Sequence, residues 1–264
     1  MLGRNLLGST GIAVSALGLG TVKFGRNQQV HYPEAFTLPN DKEILNLLSL
    51  AQDLGINLLD TAPAYGNSEE RLGVLLKNQR KAWVLSTKVG EEFVNGASQY
   101  DFTPEATRKS IERSLQRLST DYLDFVLVHS NGEDKKIIEE NAIFETLTEL
   151  KASGKIRAFG MSTKTVAGGM LAVDQSDVVM VMHNPVYTDE QPVIQYAEKN
   201  KKGILIKKAL ASGHLQKIPS NDPVREAMNF IFQQQGVSSV IVGTLNPKHL
   251  QHNVECAVEA LATR

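Results

Sequence analysis

Short apolar runs alternate with amphipathic stretches along the whole chain of 264 residues. The runs are rich in β-branched residues, as buried strands are, and the stretches between them carry apolar residues at helical spacing. One run, Leu123–Val128, is almost unbroken, which is typical of a parallel strand covered on both faces. The pattern predicts strands at Val14–Thr21, Asn57–Thr61, Val84–Lys88, Leu123–Val128, Ile156–Met161, Val178–Met182, Ile204–Ile206 and Val240–Val242.

The amphipathic stretches predict helices, and several of them have recognisable start signals. Thr103 is an expected N-cap with a proline after it, and Ser68 and Asp222 are expected to cap two other helices. The predicted helices are Asp41–Leu54, Ser68–Arg80, Thr103–Leu118, Ile143–Ala152, Thr165–Val173, Gln191–Asn200, Pro223–Gln235 and Pro247–Leu261.

About eight strand–helix units therefore follow one another, the number that closes a parallel barrel. An open doubly wound sheet is the alternative, but Gly18-Leu19-Gly20 lacks the third glycine and the following helix of a dinucleotide-binding turn. Leu6–Ser15 predicts a β-hairpin that would cap the N-terminal mouth of a barrel. We expect an α/β fold, a (β/α)8 TIM barrel with this capping hairpin, in which residues 1–264 form one domain.

The composition of the chain argues against some classes of function. The 28 basic and 29 acidic residues give a formal net charge of -1, which argues against nucleic-acid binding. No apolar run approaches the roughly 20 residues of a membrane helix, and the N-terminus lacks a secretory pattern. The lone Cys256 cannot form an intrachain disulfide. A cytoplasmic location without a membrane or nucleic-acid partner is the expectation.

Four polar side chains fall at or just after the ends of successive strands. Asp60 ends the second strand and Tyr65 follows it, while Lys88 and His129 end the third and fourth. Singly, each has an ordinary structural explanation as a helix cap, a solvated cation or a satisfied histidine. Their joint placement favours an active site, because the C-terminal strand ends of such a barrel meet at one face.

This set suits the reduction of a carbonyl group, whose oxygen gains negative charge and must receive a proton. Tyr65 could donate that proton, although its unperturbed pKa is about 10. Lys88 would lower the pKa of Tyr65 by favouring the tyrosinate, and Asp60 would compensate the lysine charge. His129 could donate a hydrogen bond that orients the carbonyl.

The sequence around these positions resembles the aldo-keto reductase family. The segment Leu58–Gly66 (LLDTAPAYG) is similar to the family signature, and Ser68–Gly73 (SEERLG) continues it. Ser86-Thr87-Lys88 and Val128-His129 match two further motifs, and the N-terminal LGSTGIAVSALGLGT is also similar. The resemblance implies a pyridine-nucleotide oxidoreductase that reduces a small aldehyde or ketone with NADPH, or less often NADH. It implies a catalytic set of Asp60, Tyr65, Lys88 and His129.

The resemblance also implies a set of cofactor-binding positions, with departures near the nicotinamide. Ser162 matches a carboxamide contact, Thr163 replaces an asparagine, Met180 replaces a glutamine, and Lys207 replaces a stacking aromatic residue. Lys248 in the last helix would favour NADPH by reaching a 2′-phosphate. The full expected set is Gly20, Thr21, Ser162, Thr163, Lys207, Leu210, Ser212, Gly213, Gly243, Thr244, Lys248 and Asn253. No metal site is expected.

Two other functions stay open at this point. The departures at Thr163, Met180 and Lys207 permit a nucleotide-sensing or partner-binding protein with weak turnover. A Schiff-base lyase acting through Lys88, Lys207 or Lys208 is the second alternative. It requires an unpaired lysine of lowered pKa, a condition that a carboxylate beside Lys88 would remove.

Overall fold

The computed structural model describes residues 2–30 and 32–263, and within these ranges eight parallel strands close into a barrel. The barrel strands are β3 (Leu17–Gly20), β4 (Leu58–Asp60), β5 (Val84–Val89), β8 (Leu123–His129), β9 (Ile156–Ser162), β10 (Val178–Met182), β11 (Gly203–Lys207) and β12 (Val237–Val242). Around the barrel they run in the order β10-β11-β12-β3-β4-β5-β8-β9. The expected α/β barrel is confirmed.

Helices follow the barrel strands and cover the outside of the barrel. Many begin at the predicted signals: the Thr103 side chain accepts a hydrogen bond from Ala106 N, and that of Asp222 accepts one from Arg225 N. The helices are α1 (Val22–Gly25), α2 (Asp41–Asp53), α3 (Ser68–Leu75), α4 (Pro104–Arg117), α5 (Asp134–Glu140), α6 (Ile143–Ala152), α7 (Val166–Gln175), α8 (Gln191–Lys199), α9 (Pro223–Phe232) and α10 (Pro247–Ala262). In the described ranges, no helix has the length and apolar character needed to cross a bilayer.

The predicted N-terminal hairpin is confirmed, and it closes the lower end of the barrel. Strands β1 (Arg4–Leu6) and β2 (Ala13–Ser15) pair antiparallel. Between them, Leu7 and Ile12 are buried in a cluster with side chains that fill the barrel interior. Active-site residues must therefore lie at the opposite, C-terminal end.

Several predicted boundaries were wrong by three residues or more, among them the start of the last strand, which is Val237 instead of Val240. The run Val14–Thr21 is two strands, because the chain turns near Ala16 from the hairpin into the barrel. The helix expected to reach Arg80 ends at Leu75, and Arg80 instead binds Asp124 and the carbonyl of Tyr122. The helix expected to reach residue 235 ends at residue 232.

Ser68 is not the cap of α3, as the sequence had suggested. Asn67 precedes the helix without a side-chain capping bond, and Ser68 is its first residue. The Ser68 hydroxyl is buried and donates instead to Thr21 Oγ1 at the end of β3. The Ser68 hydroxyl therefore makes a tertiary contact between two strand–helix loops instead of capping its own helix.

A second hairpin, not predicted from the sequence, follows β5 at the C-terminal end of the barrel. Strands β6 (Glu91–Val94) and β7 (Ala97–Tyr100) pair antiparallel around Asn95 and Gly96. Both turn residues have left-handed backbones, with φ of 52° and 79°. Asn-Gly between two short runs is a recognised hairpin signal.

Gly160 on β9 provides a test of how tightly the barrel closes. A Cβ at this position would lie 1.7 Å from the carbonyl oxygen of Val178 on the neighbouring strand. We expect Gly160→Ala to lower the free energy of unfolding in urea by about 2–3 kcal/mol or more, because neither backbone can move without breaking the barrel. Gly3→Ala is the control, since a Cβ there meets no atom within 4 Å. Equal stability of the two variants would show that the strands can separate.

Candidate active site

The structure brings the four expected side chains together at the C-terminal mouth of the barrel. Asp60 and His129 are the last residues of β4 and β8, and Lys88 lies one residue before the end of β5. Tyr65 lies in the loop after β4. Strand order explains the grouping, because β4, β5 and β8 are consecutive neighbours in the barrel.

A buried ion pair forms the floor of this site. The ammonium group of Lys88 lies 2.8 Å from both carboxylate oxygens of Asp60 and donates to the carbonyl of Thr61 at 2.9 Å. Ser86 Oγ also donates to Asp60. Burial acts to lower the pKa of Lys88, but the charge and hydrogen bonds of Asp60 outweigh it, so the pKa is raised. Lys88 is therefore a permanent cation, not a free amine nucleophile.

Tyr65 lies over this pair, half-buried. The Lys88 ammonium is 5.0 Å from the centre of its ring, and the ring of His129 meets it edge to face at 6.3 Å. Burial raises the pKa of Tyr65; Lys88 acts to lower it and Asp60 to raise it further. The pKa of Tyr65 is raised overall. The expectation that Lys88 lowers this pKa therefore holds only for the contribution of Lys88 itself. The phenol is protonated at neutral pH.

His129 has a carboxylate partner that the sequence did not reveal. Glu91 on β6 places Oε2 2.6 Å from His129 Nδ1, and Ser98 Oγ donates to the other oxygen. Burial opposes ionisation of Glu91, but His129 and Ser98 lower its pKa to about 2. Burial lowers the pKa of His129, with Glu91 acting in the opposite direction.

This contact decides which ring nitrogen of His129 can act. In the neutral imidazole, the carboxylate of Glu91 favours the proton on Nδ1, which leaves Nε2 as an acceptor. His129 can then donate a hydrogen bond from Nε2 to a carbonyl oxygen only as the imidazolium. The sequence signal for Glu91 was the Asn95-Gly96 turn, which marks the hairpin that carries it.

Lys207, the strongest departure from the family pattern, faces the same mouth. Its ammonium reaches across β10 to donate to Ser162 Oγ at 2.8 Å and to the carbonyl of Thr163 at 2.6 Å. Ser162 pairs in register with His129 on the neighbouring strand, so this cation lies close to the four-residue set. The positive charge of Lys207 also acts to lower the pKa of His129.

Two buried acids behind Lys207 were also missed from the sequence. Glu190 accepts hydrogen bonds from Thr163 Oγ1 and from Met182 N, and Asp134 accepts from Thr165. Burial lowers the pKa of Lys207 to about 8, although Glu190 and Asp134 act to raise it. Burial in turn raises the pKa of Glu190. Lys207 is thus partly deprotonated in mildly alkaline solution.

The remaining expected cofactor positions lie around the mouth. Gly20 ends β3, and the hydroxyl of Thr21 is occupied by Asp60 O and Ser68. Met180 is a core residue packed inside the barrel. Leu210, Ser212 and Gly213 form a tight turn after β11 in which the last two residues have left-handed backbones.

The turns after β11 and β12 both lie close to the loop that contains Tyr32 and Pro33. A Cβ at Gly213 would lie 3.2 Å from Pro33, and one at Gly243 would lie 3.5 Å from the hydroxyl of Tyr32. Beyond Gly243 and Thr244, Lys248 is exposed in the first turn of α10, whereas Asn253 is buried in that helix. The sixteen-residue α10 favours an anion at its N-terminus through its dipole, although Pro247 has no N–H and Lys248 N donates to Asn246 Oδ1. The dipole and the Lys248 side chain suit a phosphate group of a dinucleotide.

Comparison with known proteins identifies relatives over nearly the whole chain. A crystal structure from Pseudomonas aeruginosa, provisionally named an aldo-keto reductase, shares 53% identity at a TM-score of 0.90, covering 98% of this chain and 96% of that one. The aldo-keto reductase YhdN of Bacillus subtilis is 33% identical, covering 79% of this chain and 62% of its own length. The uncharacterized oxidoreductase YqkF of the same organism is 26% identical over 96% of this chain and 90% of its own.

The family profile described as the aldo/keto reductase family matches residues 16–226, which include all four clustered side chains and most of the barrel. Members of this family are NAD(P)-dependent oxidoreductases that act on small carbonyl compounds. The chain therefore belongs to the aldo/keto reductase family.

Proposed function

We propose that this protein reduces the carbonyl group of a small aldehyde or ketone to an alcohol, using NADPH and a proton from Tyr65. The observation that carries the proposal is the buried Lys88–Asp60 pair beneath a protonated Tyr65, with His129 beside it. NADPH, when bound, supplies the hydride. The chain has to hold the carbonyl oxygen and deliver the proton.

Tyr65 is placed to deliver that proton. As hydride reaches the carbonyl carbon, the oxygen becomes an alkoxide, a stronger base than a tyrosinate, so the phenolic proton moves from Oη to the oxygen. The permanent charge of Lys88, 5.0 Å from the ring centre, stabilises the tyrosinate that remains. Asp60 holds Lys88 in place without approaching the substrate.

Lys248 and the start of α10 support the choice of NADPH. An exposed lysine in the first turn of a helix combines a mobile cation with the helix dipole, which suits a 2′-phosphate. Ser162, Thr163 and Lys207 would hold the nicotinamide end, next to His129 in the strand register. Where the family pattern has an aromatic residue that stacks on the nicotinamide, Lys207 would donate hydrogen bonds instead.

We expect Tyr65→Phe to lower kcat by about 10²–10⁴-fold, because the variant lacks the proton donor. Its Kd for NADPH, measured by fluorescence titration, should stay within two-fold of the parent value, roughly the scatter of such measurements. Tyr196→Phe is the matched control, since its hydroxyl binds Asp174 on the outer surface. Failure of the parent protein to bind either NADPH or NADH would contradict the cofactor assignment.

Glu91→Gln should move the pH dependence of kcat/KM. Glu91 acts to raise the pKa of His129, so removing its charge lowers that pKa. The imidazolium that donates to the carbonyl then disappears at lower pH, and the fall of kcat/KM with rising pH should shift acidward by about 1 unit.

Glu92→Gln on the same hairpin is the control, because Glu92 pairs with Arg113 instead of His129. Its pH profile should match the parent profile. A profile of Glu91→Gln that coincides with the parent one would contradict a role for protonated His129.

Lys207→Met should change the preference between oxidised and reduced cofactor. The nicotinamide ring is neutral in NADPH and positive in NADP⁺, so a neighbouring ammonium opposes NADP⁺ alone. We expect the ratio of Kd for NADP⁺ to Kd for NADPH to fall about ten-fold in the variant, which corresponds to about 1.4 kcal/mol.

The parent ratio should itself depend on pH. Because the pKa of Lys207 is lowered to about 8, its charge is present below that pH and lost above it. The parent ratio should therefore fall as pH rises through about 8, whereas the Lys207→Met ratio should stay flat. Lys199→Met, at the exposed end of α8, is the charge-matched control and should follow the parent curve.

A further inference from the structure

Three side chains of the types that bind transition metals converge outside the barrel, where the N-terminus of α9 meets α10. Asp222 is the N-cap of α9, and His252 and Cys256 lie four residues apart on α10, one turn from each other. His252 Nε2 lies 3.1 Å from Asp222 Oδ1 and 3.6 Å from Cys256 Sγ. One ligand atom from each residue lies within 4.8 Å of the other two.

Two of the three ligand separations are close to the edges of a tetrahedral zinc site. Zinc binds imidazole nitrogen and carboxylate oxygen at about 2.0–2.1 Å and thiolate sulfur at about 2.3 Å. Tetrahedral angles then place nitrogen and sulfur about 3.6 Å apart and nitrogen and oxygen about 3.3 Å apart. The observed separations differ from these two values by about 0.2 Å or less, but Cys256 Sγ also lies 3.9 Å from Nδ1, so the His252 ring must rotate to direct Nε2 at an ion shared with Cys256.

The same three residue types could instead form a nucleophilic triad, but the geometry argues against it. In such a triad the acid and the thiol contact opposite ring nitrogens. Here Asp222 and Cys256 both approach Nε2, because Sγ lies 3.6 Å from Nε2 and 3.9 Å from Nδ1. Cys256 is also fully buried, so its thiol is shielded from an approaching substrate.

We propose that Asp222, His252 and Cys256 bind one zinc ion, with water as the fourth ligand. His252 is partly exposed, its side chain keeping 40% of its accessible surface, so an ion can enter from solvent. Arg225 binds the other oxygen of Asp222 through Nε and donates to Oδ1 only through its backbone N–H, which holds the carboxylate for a single metal bond. Binding transfers the proton of the Cys256 thiol to solvent.

The charge balance of this site supports a divalent ion. A thiolate at Cys256 and the carboxylate of Asp222 neutralise the two charges of zinc, while neutral His252 adds none and the cation of Arg225 is compensated by Glu259. The ion would join the loop before α9 to α10, and its removal would loosen that junction.

Cobalt titration provides the test. The full chain, made without a histidine tag and stripped by a chelator, should bind one Co²⁺ per chain with a thiolate-to-cobalt charge-transfer band, and zinc should displace it. His252→Gln should weaken zinc binding by at least about ten-fold, and Cys256→Ser should abolish the charge-transfer band. Zinc should raise the Tm of the parent protein but not of His252→Gln.

His249→Gln is the matched control, because His249 is exposed on the same helix and outside the cluster. It should bind zinc as tightly as the parent chain. Equal losses in His249→Gln and His252→Gln, or the absence of saturable binding at one ion per chain, would overturn the proposal. Neither result tests the proposed proton transfer, because Asp60, Tyr65, Lys88 and His129 lie at the barrel mouth, and the titrations are made without NADPH because Lys248 and Asn253 of the expected cofactor set lie on the same helix.

Discussion

The ion pair between Lys88 and Asp60 is the constraint on which the rest of the barrel mouth depends. Both side chains are almost fully buried, and a charge left alone there costs several kcal/mol. The pair forms because β4 and β5 are in the register that sets Asp60 beside Ser86, so that Lys88, two residues further along, reaches back to both carboxylate oxygens. The closed barrel supplies that register.

The three basic groups at the mouth of the barrel differ in how they pair with buried acids. Lys88 touches its carboxylate directly through two oxygens, and its pKa is raised. His129 touches Glu91 through one atom, yet burial still lowers its pKa. Lys207 touches only neutral oxygens, the hydroxyl of Ser162 and the carbonyl of Thr163, while Glu190 accepts from the separate hydroxyl of Thr163. The balance between burial and the contacts with a carboxylate thus separates Lys88, whose pKa is raised, from His129 and Lys207, whose pKa values are lowered.

The sequence predicted the barrel, its capping hairpin and the meeting of the four catalytic candidates. These follow from local signals: apolar periodicity, strand ends and the rule that parallel strands deliver their C-terminal ends to one face. The sequence did not predict that Glu91 contacts His129. The strand that carries Glu91 has four residues and lies on an added hairpin, so its apolar pattern is too short to be recognised. The Asn95-Gly96 turn was the available signal.

Other features lie beyond local pattern because they depend on contacts between distant segments. Ser68 looks like a helix cap in sequence, but Thr21 at the end of β3 takes its hydroxyl. Asp222 lies 30 residues before His252, and only the packing of α9 against α10 brings it to His252 and Cys256. Spacing rules for metal sites detect ligands within one motif, so a site assembled by tertiary packing carries no such signal.

Lys207 departs from the family pattern, and the physical effect of this departure can be stated. An aromatic ring at this position would contribute contact area without charge, whereas a lysine adds donors together with a charge that Glu190 compensates incompletely. In the proposed binding mode, that charge opposes the oxidised nicotinamide and spares the reduced one. A reductase would gain from this asymmetry, since it must bind the hydride donor and release the spent cofactor in every cycle.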